Sequence, residues 1–504
     1  MDIVEVGRMS TVDYIVVAVY LAGVAGIGIF ARGKIKGLSD YFAGGHKVPW
    51  WLAAVSHHIS GYSAFAFVGY AGLAYEVGFN VWTVFAVPCF LAMMFGAFVF
   101  APRWARLKVD TACEYLERRH NLAVHQVIAW SGISIKFIDE GLKLYSLALV
   151  VAVCAGVPLE TTIIVCGVVA ILYVLVGGLW AEILTDFSQF IVQFITTVIL
   201  AFVVLKAVGG WGKMWELFPD NDGSLLWSSE WDLPKVAVWL VVITLSYNGG
   251  NWGLAQRFYS VGKAGDAKKA ALLSGVMYLI YPLILYIPVW AARPLIGEVA
   301  EPDESYVRVA MEFLPRVAPG LLGLFVASMF AATMSMVDSD LNAMAAVFTK
   351  DIYKRTLARN ATEKTLMKVG LLVTGVFGAV TIVAGLLTPH LKGPFDAMVE
   401  WYAAVLGPVA VPLLMGMINR RTSWRGALGA WLLGIVAFVG LKYGMDASWT
   451  IYVGGSLLVS FSVYFLEGLI YKPTPEEKER LDALFAQLEN DPVETETIEE
   501  DAEE

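Results

Sequence analysis

Long apolar segments recur along almost the whole of this 504-residue chain, and they constrain its fold more than any other feature. Many of them approach or exceed the ~18–20 mainly apolar residues that a helix needs to cross a bilayer. Hydrophobic residues make up 58% of the sequence, well above the share in an ordinary soluble domain. The bilayer offers no water to pair with backbone polar groups, so apolar segments of this length predict helices. We therefore predict an all-α, polytopic membrane protein.

The apolar segments predict about thirteen transmembrane helices, called spans 1 to 13 below. The spans are predicted at residues 12–31, 50–75, 79–100, 122–155, 159–180, 183–208, 236–258, 270–295, 320–347, 366–388, 395–418, 425–443 and 449–471. Spans 2–6 (residues 50–208) and spans 7–11 (residues 236–418) form two halves of the chain. Two further spans, within residues 425–471, follow the second half.

Basic residues predict the orientation of these spans, because cytoplasmic loops carry an excess of lysine and arginine. The loop after span 1 contains Arg32, Lys34, Lys36 and Lys47, which places this loop in the cytoplasm and residues 1–11 outside. Thirteen spans then bring the carboxyl terminus into the cytoplasm. The expected location is the cell (inner or plasma) membrane, as a multi-pass protein.

The net charge of −9 comes from the predicted cytoplasmic tail, residues 472–504. Residues 473–504 hold 13 acidic and 2 basic side chains, a net charge of −11, so the rest of the chain carries +2. This distribution does not indicate nucleic-acid binding. The tail is predicted to form one short amphipathic helix over residues 481–488, followed by an acidic segment that is typical of disorder.

Span 9 is unusual because carboxylates and hydroxyls lie in the middle of its apolar segment, within Met329–Arg355. Ser335, Asp338, Ser339 and Asn342 fall at positions i, i+3, i+4 and i+7, which is one face of a helix. A carboxylate in the bilayer core is costly unless it finds a partner or water. We therefore interpret this face as an oxygen-rich site for a hard cation, rather than as a polar contact that only joins helices.

Two other spans are interrupted at mid-depth by glycines and polar residues. Span 2 contains residues 56–63 (Ser-His-His-Ile-Ser-Gly-Tyr-Ser), and span 7 contains residues 246–253 (Ser-Tyr-Asn-Gly-Gly-Asn-Trp-Gly). Unwound backbone at membrane depth is tolerated where it lines a cavity. The two interruptions are five helices apart, so the halves that contain them have opposite orientation. Broken helices at matching positions of two inverted halves predict a transport site.

Four stretches of the chain resemble the sodium:solute symporter family, and they occur in the family's order. They are Asp40–Trp51 in the first cytoplasmic loop, Gly177–Gln189 at the junction of spans 5 and 6, Gln256–Arg257 at the inner end of span 7, and Ala331–Ser339 with Asp351–Tyr353 in span 9. The resemblance extends over about residues 10–470. It implies an inverted-repeat core of five plus five helices, of the leucine-transporter type, that works by alternating access.

The resemblance implies a first sodium site between span 2 and span 9. Its ligands would be backbone carbonyl and hydroxyl oxygens of four residues, Ile59, Tyr62, Ala332 and Ser335. This chain has Met336 where the family has a second hydroxyl, and a thioether is a poor ligand for a hard cation. Either the site binds sodium weakly, or Thr333 or a water molecule completes it.

The resemblance also implies a further sodium site that some relatives have. Its positions here are Asp186, Ser335, Asp338 and Ser339, so that Asp186 adds a second carboxylate to the polar face of span 9. The same two aspartates would suit proton coupling, because a buried carboxylate readily takes up a proton. A third interpretation is a hydrogen-bonded pair that only anchors helices.

Span 4 carries four charges at mid-depth, Lys136, Asp139, Glu140 and Lys143, at positions i, i+3, i+4 and i+7. Lys136–Glu140 and Asp139–Lys143 are opposite-charge pairs at i, i+4, so we expect the four side chains to pair internally. The alternative is that Lys136 faces the cavity and binds an anionic or hydroxylated substrate.

The resemblance places the substrate site between spans 2, 4, 7 and 11. Tyr247 matches an aromatic gate beside the sugar in relatives, and Glu400 matches a position at which a sugar-binding relative has an amide. Ser63, Asn248 and Asn251 are further candidates, since hydroxyl and amide groups suit the hydroxyls of a sugar.

The sequence therefore predicts a sodium-coupled symporter that imports a small polar solute, most simply a sugar or sugar acid. The alternatives are a sodium- or proton-coupled importer of a monocarboxylate or amino acid, and a transporter-like membrane sensor. We expect no enzyme, since no nucleophile–base or metal motif is found. The cysteines lack metal or disulfide spacing, so we expect no transition metal and no cofactor apart from sodium as the coupling ion.

Overall fold

The computed structural model of the protein describes residues 9–33, 37–218, 231–390, 400 and 402–491. Within these residues every regular element is a helix, which confirms the predicted all-α fold, and one isolated backbone bridge joins Val48 to Val261. Four predicted features lie outside the described residues. They are the first eight residues, part of the first loop with Lys34 and Lys36, the start of span 11, and the acidic end of the tail.

We number the longer helices, and both parts of each interrupted helix, in chain order. They are α1 (Thr11–Arg32), α2 (Trp50–Ile59), α3 (Gly69–Val77), α4 (Asn80–Val99), α5 (Leu122–Ala155), α6 (Leu159–Val208), α7 (Leu233–Leu245), α8 (Trp252–Tyr259), α9 (Ala264–Leu285), α10 (Leu321–Ala346), α11 (Glu363–Leu387), α12 (Ala403–Met415), α13 (Trp424–Val439), α14 (Trp449–Ile470) and α15 (Pro475–Glu489). Shorter helices, such as Ala101–Leu107, Tyr115–Arg119 and Ser305–Val317, connect them. In the described part of the chain, eight helices are long and apolar enough to cross a bilayer, or nine if α5 and Leu159–Leu172 count as one bent span.

The predicted boundary between spans 5 and 6, at residues 181–182, is wrong. The backbone is helical from Leu159 to Val208 without interruption, because Leu179–Leu184 consists mainly of good helix formers and contains no proline. The helix has 50 residues, and its part Leu179–Val208 is by itself long and apolar enough to cross a bilayer. A straight helix of this length would measure about 75 Å, far more than one bilayer crossing of about 30 Å.

The predicted interruption of span 2 is confirmed. Helix α2 ends at Ile59, and Ser63 is extended with φ −77° and ψ 178°. The Ser63 side chain accepts a hydrogen bond from the backbone N–H of Phe65, which begins a short turn before α3. The chain therefore leaves the helix at residues 60–63 and returns to it at Gly69.

The predicted interruption of span 7 is also confirmed. Helix α7 ends at Leu245, a wide helical turn covers Ser246–Gly250, and α8 begins at Trp252. Gly249 has φ of 155°, a conformation that side chains with a Cβ rarely adopt, so the glycine is required at this point. Asn251 is extended and directs the backbone into α8.

Helix α10 lies at the centre of the fold. It packs against α1, α5, α6, α8 and α11. Within Leu321–Leu357, 83% of the most apolar stretch of 18 residues is buried inside the protein. Its polar face, Ser335, Asp338, Ser339 and Asn342, is at most 3% exposed. The carboxylates of this helix are therefore surrounded by protein, which satisfies the requirement that a charged group in the membrane finds polar partners.

The amphipathic helix predicted in the tail is confirmed as α15. Thr474 and Glu477 form a capping box at its start, and Leu481, Phe485 and Leu488 are buried. The Phe485 ring lies under the guanidinium of Arg420, with 4.7 Å between the Arg420 Cζ atom and the ring centroid. The tail helix therefore docks on basic residues that the positive-inside rule assigns to the cytoplasm.

Candidate functional site

The interruption between α2 and α3 faces the polar side of α10. The Ser60 hydroxyl lies 3.1 Å from the Ser335 hydroxyl and 3.3 Å from the Ser339 hydroxyl. Further along the chain, the backbone N–H of Ala64 donates to Thr333 Oγ1 over 3.0 Å. The unwound segment is therefore hydrogen-bonded to α10 at two points, through Ser60 and through Ala64.

The residues predicted for the first sodium site lie around this contact. Ile59 ends α2, Tyr62 lies in the unwound segment, and Ala332 and Ser335 share one face of α10; all four are buried. The Ser335 carbonyl also accepts from the Ser60 hydroxyl over 3.4 Å. Hydroxyl and carbonyl oxygens thus meet between the two elements, and such oxygens are the ligands that a hard cation prefers.

Met336 occupies the position at which the family has a second hydroxyl. Its side chain lines the neighbouring cavity. Thr333, which the sequence offered as a substitute, already accepts the N–H of Ala64. Ser60 is the nearer source of a second hydroxyl, because its Oγ lies 3.1 Å from that of Ser335.

A buried arginine in α8, Arg257, joins polar groups from three other helices. It pairs with Glu182, and it donates to Asp186 Oδ2 over 3.1 Å, Ser339 Oγ over 2.6 Å, Ser60 Oγ over 3.1 Å and Ser56 Oγ over 2.9 Å. The Ser339 hydroxyl in turn donates to Glu182 Oε1 over 2.5 Å. We call Arg257, Glu182, Asp186 and Asp338 the Arg257 cluster.

The Arg257 cluster has more negative than positive charge. The single guanidinium contacts Glu182 and Asp186, and a third carboxylate, Asp338, accepts the backbone N–H of Ser339 over 2.8 Å through Oδ1. Asp186 Oδ1 and Asp338 Oδ2 are buried without a hydrogen-bond partner. A surplus of buried negative charge is costly, so this cluster favours the uptake of a cation.

The residues predicted for the further sodium site, Asp186, Ser335, Asp338 and Ser339, lie in this region, but with an arrangement that was not predicted. Asp186 bonds to Arg257 and to the Ser56 hydroxyl, rather than forming a pair with Asp338. Sequence reasoning assigned no role to Glu182, Arg257, Ser56 or Ser60. Glu182 and Arg257 lie inside two of the stretches that resemble the family. The sequence therefore pointed to both residues, but not to the ion pair between them.

A cavity adjoins the interrupted segments. Three predicted substrate residues line it, namely Ser63, Tyr247 and Asn251. Much of its wall is apolar or aromatic, including Phe65, Phe85, Leu142, Trp239 and Met336. Its charged lining consists of Asp139 and Lys143, and Tyr402 adds a phenol.

Two other predicted substrate residues lie away from the cavity. The Asn248 amide donates to the backbone carbonyls of Ala92, over 3.0 Å, and Thr244, over 2.9 Å, so it holds the wide turn against α4. Glu400 forms an ion pair with Lys442 instead of facing the cavity. Tyr402, two residues after Glu400, reaches the cavity, and its hydroxyl lies 3.2 Å from that of Ser246.

The four charges of span 4 pair with a fifth that the sequence did not connect to them, Asp340 of α10. Asp340 Oδ2 accepts from Lys136 Nζ over 2.8 Å and from Lys143 Nζ over 2.9 Å. Lys143 Nζ also contacts Asp139 Oδ2 at 2.8 Å and Glu140 Oε1 at 2.6 Å. We call these five residues the Lys143 cluster.

Internal pairing of the span 4 charges is confirmed, although one predicted pair differs. Lys136 bonds to Asp139 over 3.1 Å, at i, i+3, and not to Glu140. Lys136 was the candidate for facing the substrate, yet Lys143 and Asp139 line the cavity. The i, i+4 rule could not distinguish the two lysines, because Asp340 comes from another helix and determines where both ammonium groups point.

Comparisons with known proteins agree with this geometry. The chain is 27% identical to the sodium/glucose cotransporter of Vibrio parahaemolyticus, over 86% of this chain and 84% of that protein. It is 24% identical to the sodium/sialic acid symporter of Aliivibrio fischeri, over 90% of this chain and 92% of that protein. It is 27% identical to the human sodium-coupled monocarboxylate transporter 1, over 94% of this chain and 76% of that protein.

The fold is similar to that of solved transporters. A substrate-bound, outward-open sodium-coupled sialic acid symporter superposes with a TM-score of 0.81 and 20% identity, over 92% of this chain and 99% of that one. A nucleobase-cation-symport-1 family transporter superposes with a TM-score of 0.58 and 14% identity, over 88% of this chain and 98% of that one. The sequence model of the sodium:solute symporter family matches residues 41–434. The chain belongs to the sodium:solute symporter family.

Proposed function

We propose that this protein is a sodium-coupled symporter that imports a sugar or a sugar acid by alternating access. The observation that carries the proposal is the oxygen-lined contact between an interrupted helix and α10, directly beside a cavity lined by Ser63, Tyr247 and Asn251. The relatives named as sodium/glucose and sodium/sialic acid symporters support the same substrate class.

Sodium would bind where the unwound segment meets α10, with Ile59, Tyr62, Ala332 and Ser335 as ligands. The surplus negative charge of the nearby Arg257 cluster would add long-range attraction for the cation. Asp186, Asp338 and Ser339 belong to this region and would hold a second ion or adjust the affinity for the first. Because Arg257 already contacts Asp186 and Ser339, any ion at these positions would share them with the guanidinium.

The substrate would occupy the cavity, in contact with Ser63, Tyr247 and Asn251. Aromatic rings suit the apolar faces of a sugar ring, and hydroxyl and amide groups suit its hydroxyls. Asp139 would accept hydrogen bonds from hydroxyls, and Lys143 would meet the carboxylate of a sugar acid. The apolar walls near Phe85 and Met336 would exclude ligands that are polar on every side.

Coupling would follow from the shared position of the two sites. Sodium at the unwound segment would stabilise the geometry of residues 60–63, which also shapes the cavity beside Ser63. A ligand shifts a conformational equilibrium by its difference in affinity for the two states, and the effect of each ligand on the other is reciprocal. We also propose the orientation given by the basic loops, with the amino terminus outside and α15 in the cytoplasm.

Uptake by purified protein in proteoliposomes tests this function. Labelled glucose, sialic acid, lactate and proline would be offered with an inward sodium gradient, with a proton gradient, or with neither. We expect uptake of glucose or sialic acid with sodium only, and its loss in Asp338→Ala and Asp186→Ala. Uptake that needs only a proton gradient would contradict sodium coupling.

A second candidate function is the import of a monocarboxylate or an amino acid. The observation that favours it is the charged pair Asp139 and Lys143 at a largely apolar cavity, which matches a small carboxylate with an apolar body. The human relative named as a sodium-coupled monocarboxylate transporter supports this class. Uptake of lactate or proline in the same assay, without glucose or sialic acid uptake, would select it.

A further inference from the structure

The Lys143 cluster is a buried group of charges whose role the proposed sodium site leaves open. Its two ammonium groups, Lys136 and Lys143, face three carboxylates, Asp139, Glu140 and Asp340. Every one of these side chains is at most 6% exposed. With all five groups ionised, the cluster would hold a net charge of −1 inside the protein. A buried charge without compensation is unfavourable, so a cation or a proton is expected there.

We assign the surplus negative charge to Glu140, because this carboxylate contacts one ammonium group and the other two carboxylates contact two each. Asp139 Oδ2 accepts from Lys136 over 3.1 Å and from Lys143 over 2.8 Å, and Asp340 Oδ2 accepts from the same two lysines. Glu140 accepts from Lys143 alone, through Oε1. Its Oε2 is buried without a hydrogen-bond partner, and the residue is 0% exposed.

The geometry favours a proton over a metal ion. Carboxylate oxygens of Asp139, Glu140 and Asp340 lie within 4.8 Å of one another, a spacing that would suit a metal. However, Lys143 Nζ contacts all three carboxylates at 2.6–2.9 Å and so already occupies their shared centre. A metal cation would be repelled by this ammonium group and by that of Lys136. A proton needs no additional space.

We propose that Glu140 is a proton-binding site, and that its proton is linked to the binding of an anionic ligand at Lys143. The charged groups that face Glu140 are Asp139 and Lys143 on its own helix and Asp340 on α10. Lys136 lies beyond them, with its Nζ 6.0 Å from the centroid of the Tyr402 ring.

Two glycines allow neighbouring helices to pack closely around the cluster on the sides away from the cavity. A Cβ atom added to Gly253 of α8 would lie 2.8 Å from Asp340 Oδ1. A Cβ atom added to Gly141 of α5 would lie 2.6 Å from Ala384 Cβ of α11. Backbone therefore covers Asp340 and the turn after Glu140. The cluster borders the cavity at Lys143, and solvent and ligands would reach it from that side.

The linkage follows from the number of donors on Lys143. Its three N–H groups match the three carboxylates that its Nζ contacts. A ligand carboxylate in the cavity can bind Lys143 only by replacing one of them, and Glu140 has the fewest other contacts. Where Glu140 is still ionised, it would then take one proton from the water of the cavity, and this added positive charge would offset the negative charge of the ligand. No other bond forms or breaks, apart from exchanged hydrogen bonds.

Because binding linkage is reciprocal, acid pH should strengthen the binding of an anionic ligand and leave that of a neutral one unchanged. This second part of the proposal rests on the proposed transport of a sugar acid. The proton on Glu140 in the absence of ligand does not depend on it.

Infrared spectroscopy of the purified protein in lipid, over a pH series, tests the proton site. The carbonyl band of a protonated carboxylic acid should rise as the pH falls, and Glu140→Gln should remove one such band. Glu216→Gln, the same change at an exposed residue that pairs with Lys213, should leave the Glu140 band unchanged. Lys143→Met should move the midpoint of the Glu140 band to higher pH, because the stabilising ammonium is lost. Absence of any band that Glu140→Gln removes would overturn the proposal.

The linkage is tested by repeating the pH series with sialic acid, which is anionic, and with glucose, which is neutral. Sialic acid should shift the midpoint of the Glu140 band to higher pH, and glucose should not. Binding of each probe would be followed independently by tryptophan fluorescence. If sialic acid binds and the midpoint stays where it was, the linkage is wrong. If neither probe binds, the proposed substrate class is wrong, while the band in the ligand-free protein still decides the role of Glu140.

Discussion

The Arg257 cluster and the Lys143 cluster both lie against α10 and both contain more carboxylates than cationic groups, yet they are built differently. Arg257 uses the planar fork of a guanidinium to reach groups on α2, α6 and α10 from α8. The Lys143 cluster joins only α5 and α10, and each ammonium group acts as a compact point charge.

This difference separates two tasks within one membrane interior. The Arg257 cluster connects both interrupted helices, through Ser56 and Ser60 on one side and Arg257 itself on the other. Any movement of these helices relative to α10 must break or rearrange its bonds. The Lys143 cluster instead borders the cavity, so it senses the ligand more directly than it senses the interrupted helices.

The largest expected effect is that of Arg257→Ala on stability. Its removal would leave Glu182 and Asp186 buried without a counter-charge, and breaking a buried ion pair in this way costs about 3–5 kcal/mol. The free energy of unfolding would be measured in detergent by chemical denaturation. The matched control is Arg316→Ala, at an exposed arginine that pairs with Glu312 at i, i+4. Equal stability of the two variants would show that Arg257 does not compensate the carboxylates.

Asp340→Asn should cost less, and it sharpens the comparison of the clusters. The change removes a charged acceptor of two bonds, and hydrogen bonds to charged groups contribute about 1.5–3 kcal/mol. It also leaves the Lys143 cluster with two carboxylates for two ammonium groups, whereas Arg257→Ala leaves the three carboxylates of the Arg257 cluster without a cationic group. The same denaturation series should therefore rank Asp340→Asn as the milder variant, and the reverse order would contradict this charge count.

Ser335→Ala should weaken sodium binding while leaving the fold intact. Loss of one buried polar ligand costs about 1–3 kcal/mol. Since 1.4 kcal/mol is tenfold in affinity, we expect a roughly tenfold rise in the sodium concentration for half-maximal uptake. Ser328→Ala is the control, because Ser328 is a buried serine of the same helix whose hydroxyl donates to the Phe325 carbonyl over 2.7 Å. Similar shifts in both variants would remove Ser335 from the ion site.

Met336→Ser should have a smaller effect of opposite sign. It restores the hydroxyl that the family has at this position, so the sodium concentration for half-maximal uptake should fall severalfold. Met336→Ala shortens the side chain without adding an oxygen and serves as the control for the change in cavity shape. If both variants behave alike, the thioether affects the cavity and not the ion.

The smallest effect is expected at Glu477 of the tail, a carboxylate that is partly buried. The Tyr471 hydroxyl, 2.6 Å from Glu477 Oε2, and the backbone N–H of Thr474 lower the pKa of this carboxyl. A lowered pKa means that the cap stabilises α15 above the ordinary pKa of glutamate and is lost as the pH falls through the lowered value. The protection of α15 against hydrogen exchange, taken relative to the intrinsic exchange rate at each pH, should therefore fall slightly at acid pH, and Glu477→Gln should remove this pH dependence. An unchanged pH dependence in Glu477→Gln would assign it to another group.

Much of the fold could be predicted because its signals are local. Apolar length predicted the helices, and the helix over residues 122–155 has the predicted bounds. Glycine and polar residues at 246–253 predicted a break that Gly249, with its φ of 155°, requires. The boundary at residues 181–182 failed, because no residue there forbids a helix and periodicity alone does not show where a chain turns.

The candidate sites were predicted only in part, for a reason that is equally physical. The face of Ser335, Asp338 and Ser339 follows from the helical repeat. The grouping of the two halves into inverted repeats remains a prediction. The contacts of Asp186 with Arg257, and of Asp340 with Lys143, join residues 71 and 197 positions apart, and no local pattern fixes such a pair.

Hydrophobic length, helical repeat and turn residues act within a few positions of the chain, so the amino-acid order was enough to establish a helical membrane protein with two interrupted helices and a polar central helix. Which lysine faces the cavity depended on packing, since Asp340 comes from a different helix and draws Lys136 and Lys143 toward itself. Electrostatic partners in a buried site are chosen by distance in space, and only the assembled helices set those distances.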